Sequence, residues 1–244
     1  ALKNVSFTVR YGEIVGIAGV EGNGQSELIE VLAGLRSITA GQIYFRNKEI
    51  TSKSVRNRRK LGVAHIPEDR LTFGVSKECS IEDNLILNKY YLPPLATRGV
   101  MHPKKIRSFC QELLLRFDVK ATGIKAPITS LSGGNMQKLI LAREIDIEPH
   151  LLIAAQPGRG VDIGALEYIQ QHLIELRDRS RAILLISSEL EDILALADRI
   201  LVMYEGEIVG SFVGGRVGEE ELGLYMSGAK RMKLSSDGDP LAGA

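Results

Sequence analysis

Gly19-Val20-Glu21-Gly22-Asn23-Gly24-Gln25-Ser26 is the stretch from which the fold can be read. It follows Ile14-Val15-Gly16-Ile17-Ala18, an apolar run suited to a buried strand. It precedes Glu27-Leu28-Ile29-Glu30-Val31-Leu32, in which Leu28 and Leu32 stand one helical turn apart. Strand, glycine loop and helix in that order are the context of a phosphate-binding loop. The glycines let successive backbone N–H groups turn inward, and the helix N-terminus adds partial positive charge. The stretch fits G-x-x-x-x-G-K-[ST] at every position but one, because Gln25 stands in the lysine position. Gly19, Gly22, Asn23, Gly24, Gln25 and Ser26 are the candidate nucleotide contacts, with the Ser26 hydroxyl a candidate ligand for Mg²⁺.

Outward from the loop, Val5–Val9 alternates like a strand and leads to a hairpin turn at Tyr11-Gly12. Further strands are expected at Gln42–Phe45, Glu49-Ile50 and Gly62–Ile66. Lys53, Arg56, Arg58, Arg59 and Lys60 form a basic run that reads as a solvated helix face. Ser80 and Asp83 make an S-x-x-D cap for a helix over Ile81–Tyr91, and a loop is expected over Leu92–His102. Pro103 suits the first turn of a helix whose Ile106, Cys110, Leu113, Leu114 and Phe117 share one face. Another helix is expected after Leu131–Gln137, running to about Ile147. Strands Leu151–Ala155 and Ala182–Ser187 then alternate with helices Leu166–Arg177 and Leu190–Ala197, and strands Ile200–Tyr204 and Glu207–Val213 follow, joined at Glu205-Gly206. This rhythm predicts an α/β fold with a mostly parallel sheet and ligands at its carboxyl edge. The domain plan is an α/β core over 1–75 and 148–230, a helical insertion over 76–147 and a polar tail over 231–244.

Of the 244 residues, 44% are hydrophobic and 25% charged, which is ample for a full core. A net charge of +1 gives no field that argues for nucleic acid. Cys79 and Cys110 have no metal or redox spacing and read as reduced thiols. Apolar runs are strand-length, so none reads as a membrane span, and no signal peptide is visible. The start at Ala1, directly before a strand, reads as a piece cut from a longer polypeptide.

Leu131-Ser132-Gly133-Gly134-Asn135-Met136-Gln137 is the strongest signal after the loop. LSGG followed by a polar residue and Gln resembles the signature motif of ABC-type ATPases, and its order between a phosphate loop and the Leu151–Ala155 strand suits that family. The resemblance implies an ABC-type P-loop core with an antiparallel β subdomain. It also implies ATP or ADP with Mg²⁺ as cofactor, and two domains facing head to tail. Ser132, Gly133, Gly134 and Gln137 would then serve the partner domain's nucleotide, and Asp162 would lie at the seam.

Against that family pattern four positions depart. Gln25 replaces the lysine; charge-assisted hydrogen bonds are worth about 1.5–3 kcal/mol against about 0.5–1.5 for neutral ones, so nucleotide affinity should fall about tenfold or more. Ala155 stands where an aspartate would position Mg²⁺, and Gln156 where a glutamate would polarise the attacking water. Ser188 takes the place of the switch histidine. Glu68, where many relatives carry glutamine, is ambiguous, since a carboxylate can bind a cation.

Pro67-Glu68-Asp69-Arg70, the signature and Gly158-Arg159-Gly160-Val161-Asp162 look like the C-terminal, degenerate half of tandem ATPases serving sugar and nucleoside importers, most similar to the nucleoside branch. Gly158 departs from the threonine usual there. The implied partners are the N-terminal nucleotide-binding domain of the same polypeptide, membrane permease subunits and, indirectly, a substrate-binding lipoprotein, at the cytoplasmic face of the cell membrane. Hydrolysis by this half alone is not expected. Two alternatives stay open: a soluble regulatory module that binds nucleotide, and an active ATPase that uses Glu68.

Overall fold

The computed structural model describes residues 1–232; the expected polar tail at Ser235–Pro240 lies outside them. In chain order the elements are β1 (Ile14–Ala18), α1 (Gln25–Ala33), β2 (Tyr44–Phe45), β3 (Lys48–Glu49), α2 (Val55–Leu61), β4 (Val63–Ile66), α3 (Ile81–Ile86), β5 (Ala96–Thr97), β6 (Val100–Met101), α4 (Pro103–Arg116), α5 (Gly133–Ile145), β7 (Leu151–Ala155), α6 (Ile163–Asp178), β8 (Ala182–Ile186), α7 (Leu190–Leu196), β9 (Arg199–Tyr204), β10 (Glu207–Val213) and α8 (Glu219–Met226). They form two compact units. The first comprises Ala1–His65, Pro149–Gln156 and the described residues from His172 to Met232; the second comprises Ile66–Glu148 and Pro157–Gln171.

The first unit is built on a six-stranded sheet in the order β10-β9-β1-β8-β7-β4. β1 pairs in parallel with both β8 and β9, and β7 with β8; β10 runs antiparallel to β9. Every residue of β1 and β8 is buried, which is why both strands read as unbroken apolar runs. Val15, Ile17, Leu28, Ile29, Ile153, Leu184, Ile186, Leu201 and Met203 form the core between sheet and α1. Gly16 is required where α7 crosses β1, because a Cβ there would lie 2.9 Å from Ala197 Cβ. At the β10 edge the register breaks between Ile208 and Gly210, and the Met232 N–H donates to the Val209 carbonyl at 2.8 Å.

Two expectations in this unit need correction. Val5–Val9 forms no ladder; Val5, Phe7 and Val9 are half-buried against the core while Ser6 and Thr8 face out. The alternation reported packing on one face, not strand pairing. The basic run is not uniformly solvated. Arg58 on α2 is 2% exposed, and its guanidinium donates to the carbonyls of Val31 (2.7 Å), Leu32 (2.8 Å), Thr51 (2.9 Å) and Lys53 (3.0 Å). A cation on the last carbonyls of α1 complements the negative end of the helix. Burial lowers the pKa of this guanidinium from its ordinary value.

The second unit packs α3, α4 and α5 around Ile81, Leu85, Ile106, Cys110, Leu113, Leu139 and Ile140, all at most 2% exposed. The capping box at Ser80 and Asp83 forms as expected, and Pro103 takes the first turn of α4. α3 is shorter than the sequence suggested, ending at Ile86. Beyond it the Asn88 side chain donates to the Arg143 carbonyl and Lys89 pairs with Asp146, contacts that fix the chain in turns. The expected loop over Leu92–His102 contains the short β5–β6 hairpin. Among the described residues no helix is long and apolar enough to cross a membrane.

Candidate functional site

In the first unit the phosphate-loop residues, Gln156 and Ser188 follow the carboxyl ends of the parallel strands β1, β7 and β8, and Ala155 is the last residue of β7. Gly22 and Gly24 have φ of +92° and +109°, the left-handed conformation that glycine adopts without strain. Gly24 starts α1, so the loop meets a helix N-terminus. Asn23 fastens the loop to the β9–β10 turn: its Oδ1 accepts from the Glu205 N–H at 2.8 Å, and its carbonyl accepts from the Gly206 N–H at 2.9 Å. Sequence reasoning named Asn23 as a nucleotide contact and missed this clamp, which joins residues about 180 positions apart and leaves no local signal.

Gln25 folds back into its own loop. The side chain is buried, and its Nε2 donates to the Val20 carbonyl at 3.2 Å. Its Oε1 is buried with no hydrogen-bond partner among the described residues. Gly19 packs beneath it, and a Cβ there would lie 2.7 Å from the Met203 carbonyl oxygen as well as 2.4 Å from Gln25 Nε2. Ser26 is exposed. Ala155 is fully buried in the apolar core. Gln156 has φ of +46°, and its Oε1 accepts from both the N–H (3.1 Å) and the Oγ (3.3 Å) of Ser188. Two of the departing positions are thus bonded to each other.

These residues fit one part of a magnesium nucleotide and not the other. The backbone cradle, with open space around Gly22, suits phosphate oxygens. The cation is less well served: Ala155 has no side-chain oxygen to offer, and among the described residues no cluster of three or more His, Cys, Asp or Glu could hold a metal. Gln156 supplies no base, since an amide cannot take a proton from water.

The second unit holds the signature. Ser132 caps α5, its Oγ accepting from the Asn135 Nδ2 at 2.9 Å and, more weakly, from the Asn135 N–H at 3.4 Å. A Cβ on Gly133 would sit 2.9 Å from Arg70 Nη2, and one on Gly134 would sit 2.8 Å from Asp162 Oδ2. At Gly134, with Ala165 Cβ also at 3.0 Å, a side chain has little room, whereas at Gly133 the flexible end of Arg70 could shift; both glycines keep ordinary φ. Gln137 is buried and its Nε2 donates to the Pro157 carbonyl at 2.9 Å. Asp162 accepts from the Ala165 N–H at 2.9 Å, which starts α6 three residues before the expected Leu166. Arg70 donates to the carbonyls of Arg159 (2.5 Å) and Gly160 (2.9 Å), a bracket that the sequence quoted without assigning it a role. Glu68 is ion-paired to Arg159 at 2.9 Å.

Comparison with known proteins bears on all of this. Residues 2–157 match the family model described as ABC transporter. The chain is similar to the nucleoside import ATP-binding protein NupA of Lactococcus lactis subsp. cremoris, 45% identical over 93% of this chain and 45% of that protein. It is equally similar to the guanosine import ATP-binding protein NupO of Bacillus subtilis, with 45% identity and the same coverage. The chain thus spans about half the length of the curated relatives it matches. Among solved structures, the ADP conformation of MJ1267, an ATP-binding cassette of an ABC transporter, superposes with a TM-score of 0.72 at 26% identity, covering 93% of this chain and 89% of that one. The dimeric cassette MJ0796 superposes at 0.74 with 22% identity, over 87% and 90%, a likeness of fold alone.

Proposed function

The chain belongs to the ABC transporter family, and on that premise we propose that it is the ATP-binding domain of a nucleoside or sugar importer whose own site is hydrolytically inactive. Its contribution is the Ser132–Gln137 signature, offered to the nucleotide of a partner domain. The observation that carries this reading is the end of β7, where Ala155 lies in the apolar core and the Gln156 amide is bonded to Ser188. The self-bonded Gln25 supports weak nucleotide binding at most, since the amide must leave Val20 before it can meet a phosphate.

The partner in this proposal is an N-terminal nucleotide-binding domain of the same polypeptide, for which relatives about twice as long leave room. Permease subunits, contacted by the helical segment 76–147, place the assembly at the cytoplasmic face of the membrane, and a substrate-binding lipoprotein delivers the solute. NupA and NupO, named for nucleoside and guanosine import, favour the nucleoside branch. Asp162 belongs at the seam between the two halves.

A second reading, an active ATPase using Glu68, has less support, because that carboxylate is already paired with Arg159. The test is titration of the chain with Mg-ATP by calorimetry while phosphate release is followed. The proposal expects weak or no binding and no release. Steady release abolished by Glu68→Gln refutes it. Release gained on combining Gln25→Lys, Ala155→Asp and Gln156→Glu supports the assignment of those positions.

A further inference from the structure

At the opposite, amino edge of the sheet lies a cluster that the phosphate loop does not use. The β7–β8 register pairs Leu151 with Ala182, which places His150 beside Arg181. The imidazole is seated on Gly62, where a Cβ would lie 2.7 Å from His150 Cδ2, and meets Tyr11 edge to face at 6.4 Å. Two guanidiniums bracket it: Arg46 Nη1 lies 3.1 Å from Nε2, and Arg181 Nη1 lies 3.0 Å from Nδ1.

This arrangement has more donors than acceptors. A guanidinium only donates, and a neutral imidazole offers one lone pair and one N–H. Whichever tautomer is present, one guanidinium N–H faces a ring N–H; in the imidazolium both do. Burial first, then the charges of Arg46 and Arg181, hold the ring below its ordinary pKa. Arg46 also lines a surface pocket of about 230 Å³ with Phe45, Lys48 and Leu61. It sits at the tip of the β2–β3 hairpin with φ of +52°, followed by Asn47 at +60°, the left-handed pair that a two-residue hairpin turn of this kind requires. Lys48, on the same hairpin, makes no ion pair among the described residues.

We propose that Arg46, Lys48 and the His150 ring form a phosphate-binding site at the amino edge of the first unit, separate from the phosphate loop, with Arg181 holding the ring in place. A phosphate group supplies acceptor oxygens to Arg46, Lys48 and the ring N–H, and Phe45 and Leu61 give its organic substituent an apolar wall. The phosphate is either free in solution, alone or on a small metabolite, or part of a lipid headgroup.

The experiment titrates the chain with inorganic phosphate at constant ionic strength and follows the four histidine rings by NMR, with His150→Gln to assign the signal. The expected result is a saturable shift of the His150 resonances alone, absent when chloride replaces phosphate. Arg46→Gln, at an exposed turn, should weaken the response by about tenfold or more, the loss of one charge-assisted contact. Lys48→Gln, which leaves the Arg46–imidazole contact in place, should weaken it as well. A second arm compares co-sedimentation with vesicles of phosphatidylglycerol and phosphatidylcholine against phosphatidylcholine alone. Retention on the anionic vesicles that is lost in Arg46→Gln, with a weaker response to free phosphate, assigns the group to lipid. No His150 shift and no Arg46-dependent retention, a shift of equal size with chloride, or an undiminished response in Arg46→Gln overturns the proposal.

Discussion

Replacing Arg58 by methionine tests whether the basic run contributes through a buried cap rather than through solvated charge. Methionine keeps an unbranched stem of similar reach, so the substitution removes the guanidinium while leaving most of the apolar packing. Four backbone carbonyls, those of Val31, Leu32, Thr51 and Lys53, lose this donor, and Val31 keeps a second one, the Gly34 N–H at 3.2 Å. At about 1 kcal/mol for each of the other three, the low end of the cost of an orphaned buried acceptor, the loss is about 3 kcal/mol. For a chain of this size each kcal/mol moves Tm by about 2–4 °C, so melting should fall by roughly 6–12 °C. Arg58→Lys should recover part of this, because an ammonium keeps the charge at the end of α1 but cannot span all four acceptors. The assay is urea unfolding followed by circular dichroism, with the denaturant slope checked for constancy. A loss for Arg58→Met no greater than about 0.5 kcal/mol, the range of ordinary surface substitutions, would refute the cap.

Three other outcomes follow from the same structure. Gln25→Leu exchanges one neutral hydrogen bond, about 0.5–1.5 kcal/mol, for relief of an unpartnered buried oxygen, about 1–3 kcal/mol; the variant should be at least as stable as the parent, and chemical denaturation showing a clear loss contradicts that. Burial pushes the Cys110 thiol up to about 12, so in the folded chain at pH 8 a thiol reagent should label half-exposed Cys79 and spare Cys110, whereas denatured chain should label at both. His150 has a folded pKa below its unfolded value near 6.5. The unfolded chain therefore binds the proton more readily, and this site's contribution is full above that value and declines as pH falls through it toward the lower folded pKa. Unfolding measured between pH 8 and 5 should show that slope reduced in Arg46→Gln, and an unchanged slope counts against the bracket.

What could be read from the sequence was whatever leaves a local or periodic trace. β7 and β10 fall at the expected residues, and the Ser80–Asp83 cap forms where its spacing placed it. Long-range pairing was not legible. Val5–Val9 has the right alternation without a ladder, since alternation records only which side is covered. Arg58 resembles its charged neighbours in sequence, and only the arrival of the α1 carbonyls sets it apart. At the site, residue types identified the departures at 25, 155, 156 and 188. Their consequences, an amide turned into its own loop and another bonded across to Ser188, depend on side-chain positions that no motif encodes. The pairing of Glu68 with Arg159 joins residues 91 positions apart and was equally hidden.

The irregular β10 edge bears on solution behaviour. An outermost strand with evenly spaced, unsatisfied N–H and C=O groups is a template for another chain, and uninterrupted edges of that kind lead to aggregates. Here the register slips between Ile208 and Gly210, and the Val209 carbonyl is already taken by Met232. An incoming strand would find its hydrogen-bonding pattern out of phase after two or three residues. Concentrated solutions of the chain should therefore resist edge-to-edge strand pairing along this side, and shortening the C-terminus to before Met232 should make them more prone to it.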